Sequence, residues 1–272
     1  HRIKTISSNM ATIAVLSAVA TTAIATGFTL YSSVEKNTYN IVGYDMYFYG
    51  GQENLLDRVH KAFERHNVRI IDEYTTQRYI SRPKMESVII EGMEFTFDGE
   101  NYFRIYAESE YNKLISVSRS SLKPVNIKPG EAMFVFPSVI NNLENYIHGK
   151  LLDFSSKTLR ITAITQKDIC TFGAAYALVL NNNDFDTLYH SGDIVATDDK
   201  GNPLDKVTVF KFENPLKYGD LNAELVQILD GKTGSYRTAY NHYNESLETF
   251  GLVCFIGFFM SVVFILMTAS LL

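Results

Sequence analysis

Two charge-free, largely apolar runs bracket a long segment in which apolar and polar positions alternate. Thr5–Val34 and Thr249–Leu272 contain no charged residue. Each exceeds the roughly 20 residues that an α-helix needs to cross a bilayer core of about 30 Å. A helix of that length in water would carry charge on its wet face. The pattern predicts a cytoplasmic lead at 1–9, transmembrane helices at 10–33 and 249–272, and an extracellular α+β domain at 34–248 between them. Arg2 and Lys4 stand directly before the first run, and basic residues beside a span favour the cytoplasmic side. A signal peptide is the rival reading of the first run, with Ala23-Ile24-Ala25 as its cleavage site. Its apolar core would be about twice the usual length of 7–15 residues. With His1 at one end and an apolar run at the other, the chain is expected to be a piece of a longer polypeptide.

The two runs differ in kind. The first places Ala11, Ala14, Ala18 and Ala25 at spacings that bring small residues to a shared face. Such a face lets helices approach closely in lipid, where apolar burial alone gives no preference for a partner. The second is dominated by Phe, Leu, Ile and Val, with Gly257 and Ser261 four apart. Two plain anchors would need no small face, whereas membership of a larger helix bundle would use one.

Between the runs, Gly50–Asn67 sets Leu55, Leu56, Val59, Ala62 and Phe63 on one stripe opposite Glu53, Asp57, Lys61 and Glu64, the period of an amphipathic helix. Strands are expected in VRIIDEYT, ESVIIEG, TLRITAIT, YALVLN and KVTVFKFE. A hairpin is expected around Asp98-Gly99, and a strand–turn–strand around Pro129-Gly130. A turn is expected at Asp199–Asn202, and a helix with an acidic cap at Asp220–Leu229. Gly234–Gly251 has no breaker after its first residue and is expected to run as helix into the second span. Tyr102–Ile115 and Tyr176–Tyr189 echo one another at an offset of 74. Either a duplication or the shared needs of two strand-to-helix corners would account for this. No Gly/Pro/Ser-rich linker divides the segment, so it reads as one domain.

Charge narrows the function classes. All 30 acidic residues, and every basic one except Arg2 and Lys4, lie in 35–248, which leaves that segment about −7 net. Nucleic-acid binding wants a basic face and is not expected. Cys170 and Cys254 lie in different segments and predict no intrachain disulfide. The chain has no GxxxxGK[ST] loop, HExxH or GxSxG. His60 and His66 read as helix-surface residues, Asp198-Asp199 as a turn, and Asp184 and Asp186 as capping residues. No catalytic residue and no metal ligand is nominated. One stretch, QRYISRPK at 77–84, could bind an anion through Arg78, Tyr79, Arg82 and Lys84, because guanidinium forks match phosphate. A solvated loop is the plainer reading of the same residues.

The chain resembles FtsX-like permeases, the membrane subunits of type VII (MacB/Bce-like) ABC transporters, and most of all the bacitracin-exporter (Bce) type. The likeness lies in the basic lead and small-residue face of HRIKTISSNMATIAVLSAVATTAIATG, in YAESEYNKLI, in VNIKPGEAMFVF, and in FGLVCFIGFFMSVVFILMTAS. The resemblance implies one span, the large outer domain and the next span of a multi-pass permease in a bacterial cell membrane. It implies a cytoplasmic ABC ATPase dimer as partner, which would bind the ATP and Mg, with no cofactor in this chain. It further implies a membrane histidine kinase as partner. The ligand would be a bacitracin-like peptide antibiotic or an undecaprenyl-pyrophosphate-type lipid, with resistance and sensing as the outcome and ATP-driven motion carried to the outer domain. The sensor region of a histidine kinase or chemoreceptor shares the order span, outer domain, span, and is the alternative. A secreted enzyme on a membrane stalk has no motif in its favour.

Overall fold

The structure is a computed structural model. It describes the backbone at 14–15, 18, 21–22, 25–29, 33–50, 53–90, 92–97, 102–138, 140–230 and 236–270. The chain is α+β. It divides into two compact units, Tyr39–Tyr240 and the two chain ends together, His1–Thr38 with Asn241–Leu272.

Unit Tyr39–Tyr240 is built on two sheets. In the first, strands β1 (Met46–Tyr49), β2 (Ile70–Thr76), β11 (Val207–Phe212) and β12 (Tyr236–Thr238) run in the order β12-β1-β11-β2, and all pairs are antiparallel. In the second, β3 (Tyr79–Ser81), β4 (Lys84–Ile90), β5 (Met93–Phe97), β6 (Phe103–Ala107), β7 (Glu131–Val135), β8 (Leu151–Asp153), β9 (Thr158–Thr165) and β10 (Ala177–Leu180) run in the order β3-β6-β10-β7-β9-β8-β4-β5. Pairs β6–β10 and β7–β9 are parallel.

Alternation along the strands produces three cores. Met46 and Phe48 of β1 and Phe210 and Phe212 of β11 face α1 (Glu53–Arg65) and α5 (Gly219–Leu229). Tyr47, Tyr49, Val207 and Val209 on the opposite face meet Tyr106, Met133, Val135, Ala177 and Val179 of the second sheet. Helix α2 (Glu108–Val117) sends Tyr111, Leu114 and Ile115 into that same layer. On the far side of the second sheet, Phe103, Ile105, Phe134, Leu152, Ile161 and Leu178 pack with Leu143 and Ile147 of α3 (Leu143–Ile147) and with Phe185 and Leu188 of α4 (Asn182–His190). The central strands therefore read as unbroken apolar runs, as strands covered on both faces do.

One charged pair ties these parts together. The Asp45 carboxylate is closed to solvent and accepts Arg119 Nε at 2.9 Å, Arg119 Nη2 at 2.8 Å and the Phe212 amide at 2.8 Å. Arg119 Nη2 also donates to the Phe212 carbonyl at 2.8 Å. Its own amide donates to the Gly43 carbonyl at 2.8 Å, and Ala239 N donates to the Asp45 carbonyl at 2.8 Å. Burial raises the Asp45 pKa against the opposing pull of Arg119 and the Phe212 amide. The hydrogen bond to Asp45 holds Arg119 up.

The structure corrects several local expectations. β5 pairs with β4, not β6. The hairpin therefore turns at Gly92, whose φ of 83° suits a residue without Cβ, and β6 instead takes the interior place beside β10. Val125–Lys128 is not a strand. Its backbone is held by side chains, with Asn112 bonding both polar groups of Val125, Glu108 accepting Ile127 N and Asn181 donating to Ile127 O. The cap of α5 is Tyr218, and Asp220 sits inside the first turn. Tyr236–Thr238 pairs with β1 as an edge strand, so the last helix begins at Ala239. The echoing stretches occupy two adjacent parallel strands, with Arg104 opposite Ala177. Their caps differ: Ala107 precedes α2 as a cap with no side-chain bond, whereas Asn181 caps α4 through Asn183 N.

In the other unit, the described residues at 14–15, 18, 21–22 and 25–29 are helical, as are 33–38. Thr22 and Thr29 turn their hydroxyls onto the Ala18 and Ala25 carbonyls. A Cβ at Gly27 would meet Cys254 Sγ, so the backbone approaches that side chain closely. Ala11 lies outside the described residues. Helix α6 runs from Ala239 to Ser270. Among the described residues no helix is long and apolar enough to cross a membrane.

Removing one partner of a buried pair strands the other charge. Arg119→Met is expected to lower stability by about 3–5 kcal/mol. In denaturant melts of the full chain, Asp45→Asn combined with Arg119→Met should cost less than the two single changes added.

Candidate functional site

The layer between the sheets is unusually rich in tyrosine, and three of its hydroxyls converge on one loop, while that of Tyr111 is buried without a partner. Tyr44 donates to the Ile169 carbonyl and Tyr106 to the Cys170 carbonyl, each at 2.6 Å, and Tyr49 donates to the Phe172 carbonyl. Asp168 folds the loop on itself by accepting Cys170 N at 3.0 Å, Thr171 N at 2.8 Å and the Thr171 hydroxyl. Phe172 has a left-handed φ of 44° and stacks on Tyr44 at 5.9 Å. Buried carbonyls need donors, and tyrosine supplies one at the end of an apolar body. Burial pushes the Tyr44, Tyr106 and Cys170 pKa values well up, so all three stay protonated.

Two guanidinium groups enter this layer without a counter-charge. Arg104 is on β6 between Phe103 and Ile105, and alternation puts it on the Tyr106 face. It is 3% exposed, and its Nε and Nη1 have no hydrogen-bond partner. β3 sets Ile80 opposite Arg104, which brings Arg78, two residues earlier, to the same side. The Arg78 guanidinium lies over the Tyr49 ring at 4.7 Å, and its Nε is also buried and unpartnered. Burial first, and the positive charge of Arg104 second, lower the Arg78 pKa. Among the described residues neither arginine forms an ion pair.

The four residues expected to bind an anion are not gathered at one point. Tyr79 faces the other side of the second sheet and packs edge-on against Phe185 and Tyr189. Arg82 is an exposed partner of Asp199 at 2.8 Å. Lys84 is exposed at the start of β4. Arg78 alone reaches the tyrosine layer, and there it meets Arg104, which the sequence reading did not single out. The available sign was an arginine at the second position of an otherwise apolar five-residue strand.

Two neighbouring features complete the region. A cleft of about 210 Å³ is lined by Tyr44, Tyr47, Asp168, Phe172 and Arg237, among others. It is below the usual size of a pocket for a drug-sized ligand. Glu110 of α2 has a buried Oε2 without a partner, and desolvation, partly offset by Thr76, raises its pKa to about 7. Among the described residues no group of three or more His, Cys, Asp or Glu comes together to hold a metal. Cys170 and Cys254 are both free thiols.

No protein-family model matches the chain, and no curated protein matches it. A crystal structure described as a "Putative Lipoprotein from Bacillus anthracis" is similar over 71% of this chain and 96% of its own, at 8% identity and a TM-score of 0.37. A likeness of that degree carries no argument about fold or function.

Glu110 makes stability depend on pH with a defined sign. Its folded pKa stands above the ordinary 4.5. The folded state therefore binds the proton more tightly, and stability falls as pH rises from about 4.5 to about 7. Glu110→Gln should flatten that fall, with a Tm gain over the parent chain that is present at pH 8 and small at pH 4.5. A gain of equal size at both pH values would count against it.

Proposed function

We propose that the chain is the outer domain, with its two flanking membrane helices, of an ABC-transporter permease subunit that responds to peptide antibiotics or to the pyrophosphate lipids they seize. The observation that supports it most is α6. It has 32 residues, which at about 1.5 Å each gives roughly 48 Å, more than a bilayer core. Its described side chains at Leu252, Val253, Phe255, Ile256, Phe258, Phe259 and Met260 are all apolar and exposed. Seven such neighbours have no reason to face water, and lipid is the solvent that suits them. The side chains at 261, 264–265 and 267–272 lie outside the described residues, and there the reading extends by sequence alone. In the other run, the threonine hydroxyls bonded to carbonyls four residues back suit an environment that offers no water. The approach of Gly27 to Cys254 suits close helix packing in lipid.

The start of α6 gives the reading a mechanism. Ala239 N bonds to the Asp45 carbonyl, and Asp45 is the residue held by Arg119 and the Phe212 amide. A pull on the helix would act first on that pair, and through it on α2 and β11. ATP hydrolysis would reside in a cytoplasmic ABC ATPase partner, and a membrane histidine kinase would read the outcome. The same ATPase partner separates this reading from a receptor's sensor region, which needs none.

Topology is the direct test. In a Cys254→Ala background Cys170 is buried and inert, so Lys123→Cys and Thr5→Cys can be labelled one at a time. Lys123→Cys should react with an impermeant maleimide in intact cells, and Thr5→Cys only after permeabilisation. The chain should remain in membranes after alkaline carbonate and crosslink to an ABC ATPase. Release by carbonate would end the membrane reading, and loss of the ATPase crosslink alone would end the permease reading.

A further inference from the structure

We infer that Arg78 and Arg104 together bind a divalent oxyanion of the phosphate class between the two sheets. The inference rests on these two side chains and stands whether or not the transporter reading holds. Arg104 has two buried nitrogens without an acceptor and Arg78 has one. Glu110 has a carboxylate oxygen without a partner, but burial and Thr76 govern its titration and neither arginine acts on it, and the other nearby carboxylates are engaged or exposed. The Asp168 carboxylate takes the Cys170 and Thr171 amides and the Thr171 hydroxyl. Asp205 acts on Arg78 only at a distance and is exposed. A guanidinium cannot escape its charge by losing a proton in this environment, and an unpaired buried cation is costly. A fold that sets the buried Arg104 of β6 and the half-buried Arg78 just before β3 on one face is incomplete without an anion.

Charge and size select the class. A monoanion would leave one guanidinium uncompensated, whereas a phosphate group carries about −1.5 to −2 near neutral pH and offers several acceptor oxygens. Guanidinium forks suit such oxygens better than a point cation would. The wall around the pair is tyrosine ring and apolar strand, with Tyr49 and Tyr106 hydroxyls already committed to the loop. Recognition therefore falls on the two arginines. Arg78 is the half-buried member, so a phosphate group meets it first, and Arg104 behind it supplies the second charge. Free phosphate and the phosphate of a lipid headgroup share this chemistry.

The test uses thermal unfolding of the full chain in chloride-free buffer, first in detergent with inorganic phosphate, then in nanodiscs of phosphatidylcholine with or without phosphatidic acid. Phosphate should raise Tm saturably at about pH 7.5, since a ligand bound only to the folded state stabilises it. The rise should shrink at about pH 5.5, where phosphate is a monoanion, and acetate or chloride should give less. Arg104→Met should abolish the rise, yet melt at or above the parent chain without phosphate, because it removes an unpaired charge. A merely structural arginine would instead leave Arg104→Met low in every buffer. Arg78→Gln should weaken the apparent affinity at least tenfold, and Arg82→Gln with Lys84→Gln should leave it unchanged. A response to soluble phosphate identifies the free anion, and a response only with phosphatidic acid identifies a headgroup. No response in either setting overturns the inference, as do equal responses to chloride or unchanged responses in Arg78→Gln, which tests it even if Arg104→Met fails to fold. The membrane topology experiment is untouched by any of these failures.

Discussion

The buried pair of Asp45 and Arg119 is the constraint on which the rest of the unit depends. Asp45 opens β1, the strand that carries tyrosines to one core and Met46 and Phe48 to another. A carboxylate closed to solvent must have its lone pairs filled, and it fills them from Arg119 and the Phe212 amide. Those bonds fix where α2 ends, where β11 lies and, through the Asp45 carbonyl, where α6 begins. Gly43 enters at a φ of 76° with Ile169 and Asp168 against it, so the turn into β1 abuts the tyrosine-held loop as well. One residue, through its carboxylate and its main-chain carbonyl, thus sets the register of elements that are up to 194 residues apart in sequence.

The tyrosine layer shows the same logic with neutral groups. The loop at 168–174 is buried, and a buried loop brings carbonyls that no strand will satisfy. Tyr44, Tyr49 and Tyr106 reach it across an apolar layer and end on three of those carbonyls. Arg104 shares this layer with two of its guanidinium nitrogens, Nε and Nη1, buried and without a partner. The contrast is informative: Arg119, half-buried in the same unit, has its Nε and Nη2 on the Asp45 carboxylate and the Phe212 carbonyl, whereas Arg104 is buried deeper and has less to bond to. Where the fold leaves such nitrogens bare, the missing partner belongs to something other than the described chain.

Much of unit Tyr39–Tyr240 was legible in the sequence because its signals are local. The stripe of Leu55, Val59, Ala62 and Phe63 defines α1 by periodicity, and all four are buried. Apolar runs such as Ala177–Leu180 mark strands covered on both faces. The errors share one cause, which is that pairing is not local. Asp98-Gly99 has good turn chemistry, yet β5 pairs with β4 and β6 lies between β3 and β10, where all five of its residues are buried. Val125–Lys128 alternates like a strand, but Glu108, Asn112 and Asn181 satisfy its backbone first.

The sequence by itself determined the α+β character, most elements, and the abrupt change from alternating pattern to charge-free runs at both ends. Those follow from spacing along the chain, which the chain alone carries. The tertiary structure decided strand order, the Asp45–Arg119 junction and the meeting of Arg78 with Arg104. Arg78 and Arg104 are 26 positions apart and share a face only because β3 pairs with β6. In the sequence, Arg78 reads as one of three cations in a basic loop. In the fold it leaves Arg82 to Asp199 and Lys84 to solvent, and joins a buried arginine whose charge only folding could leave unpaired.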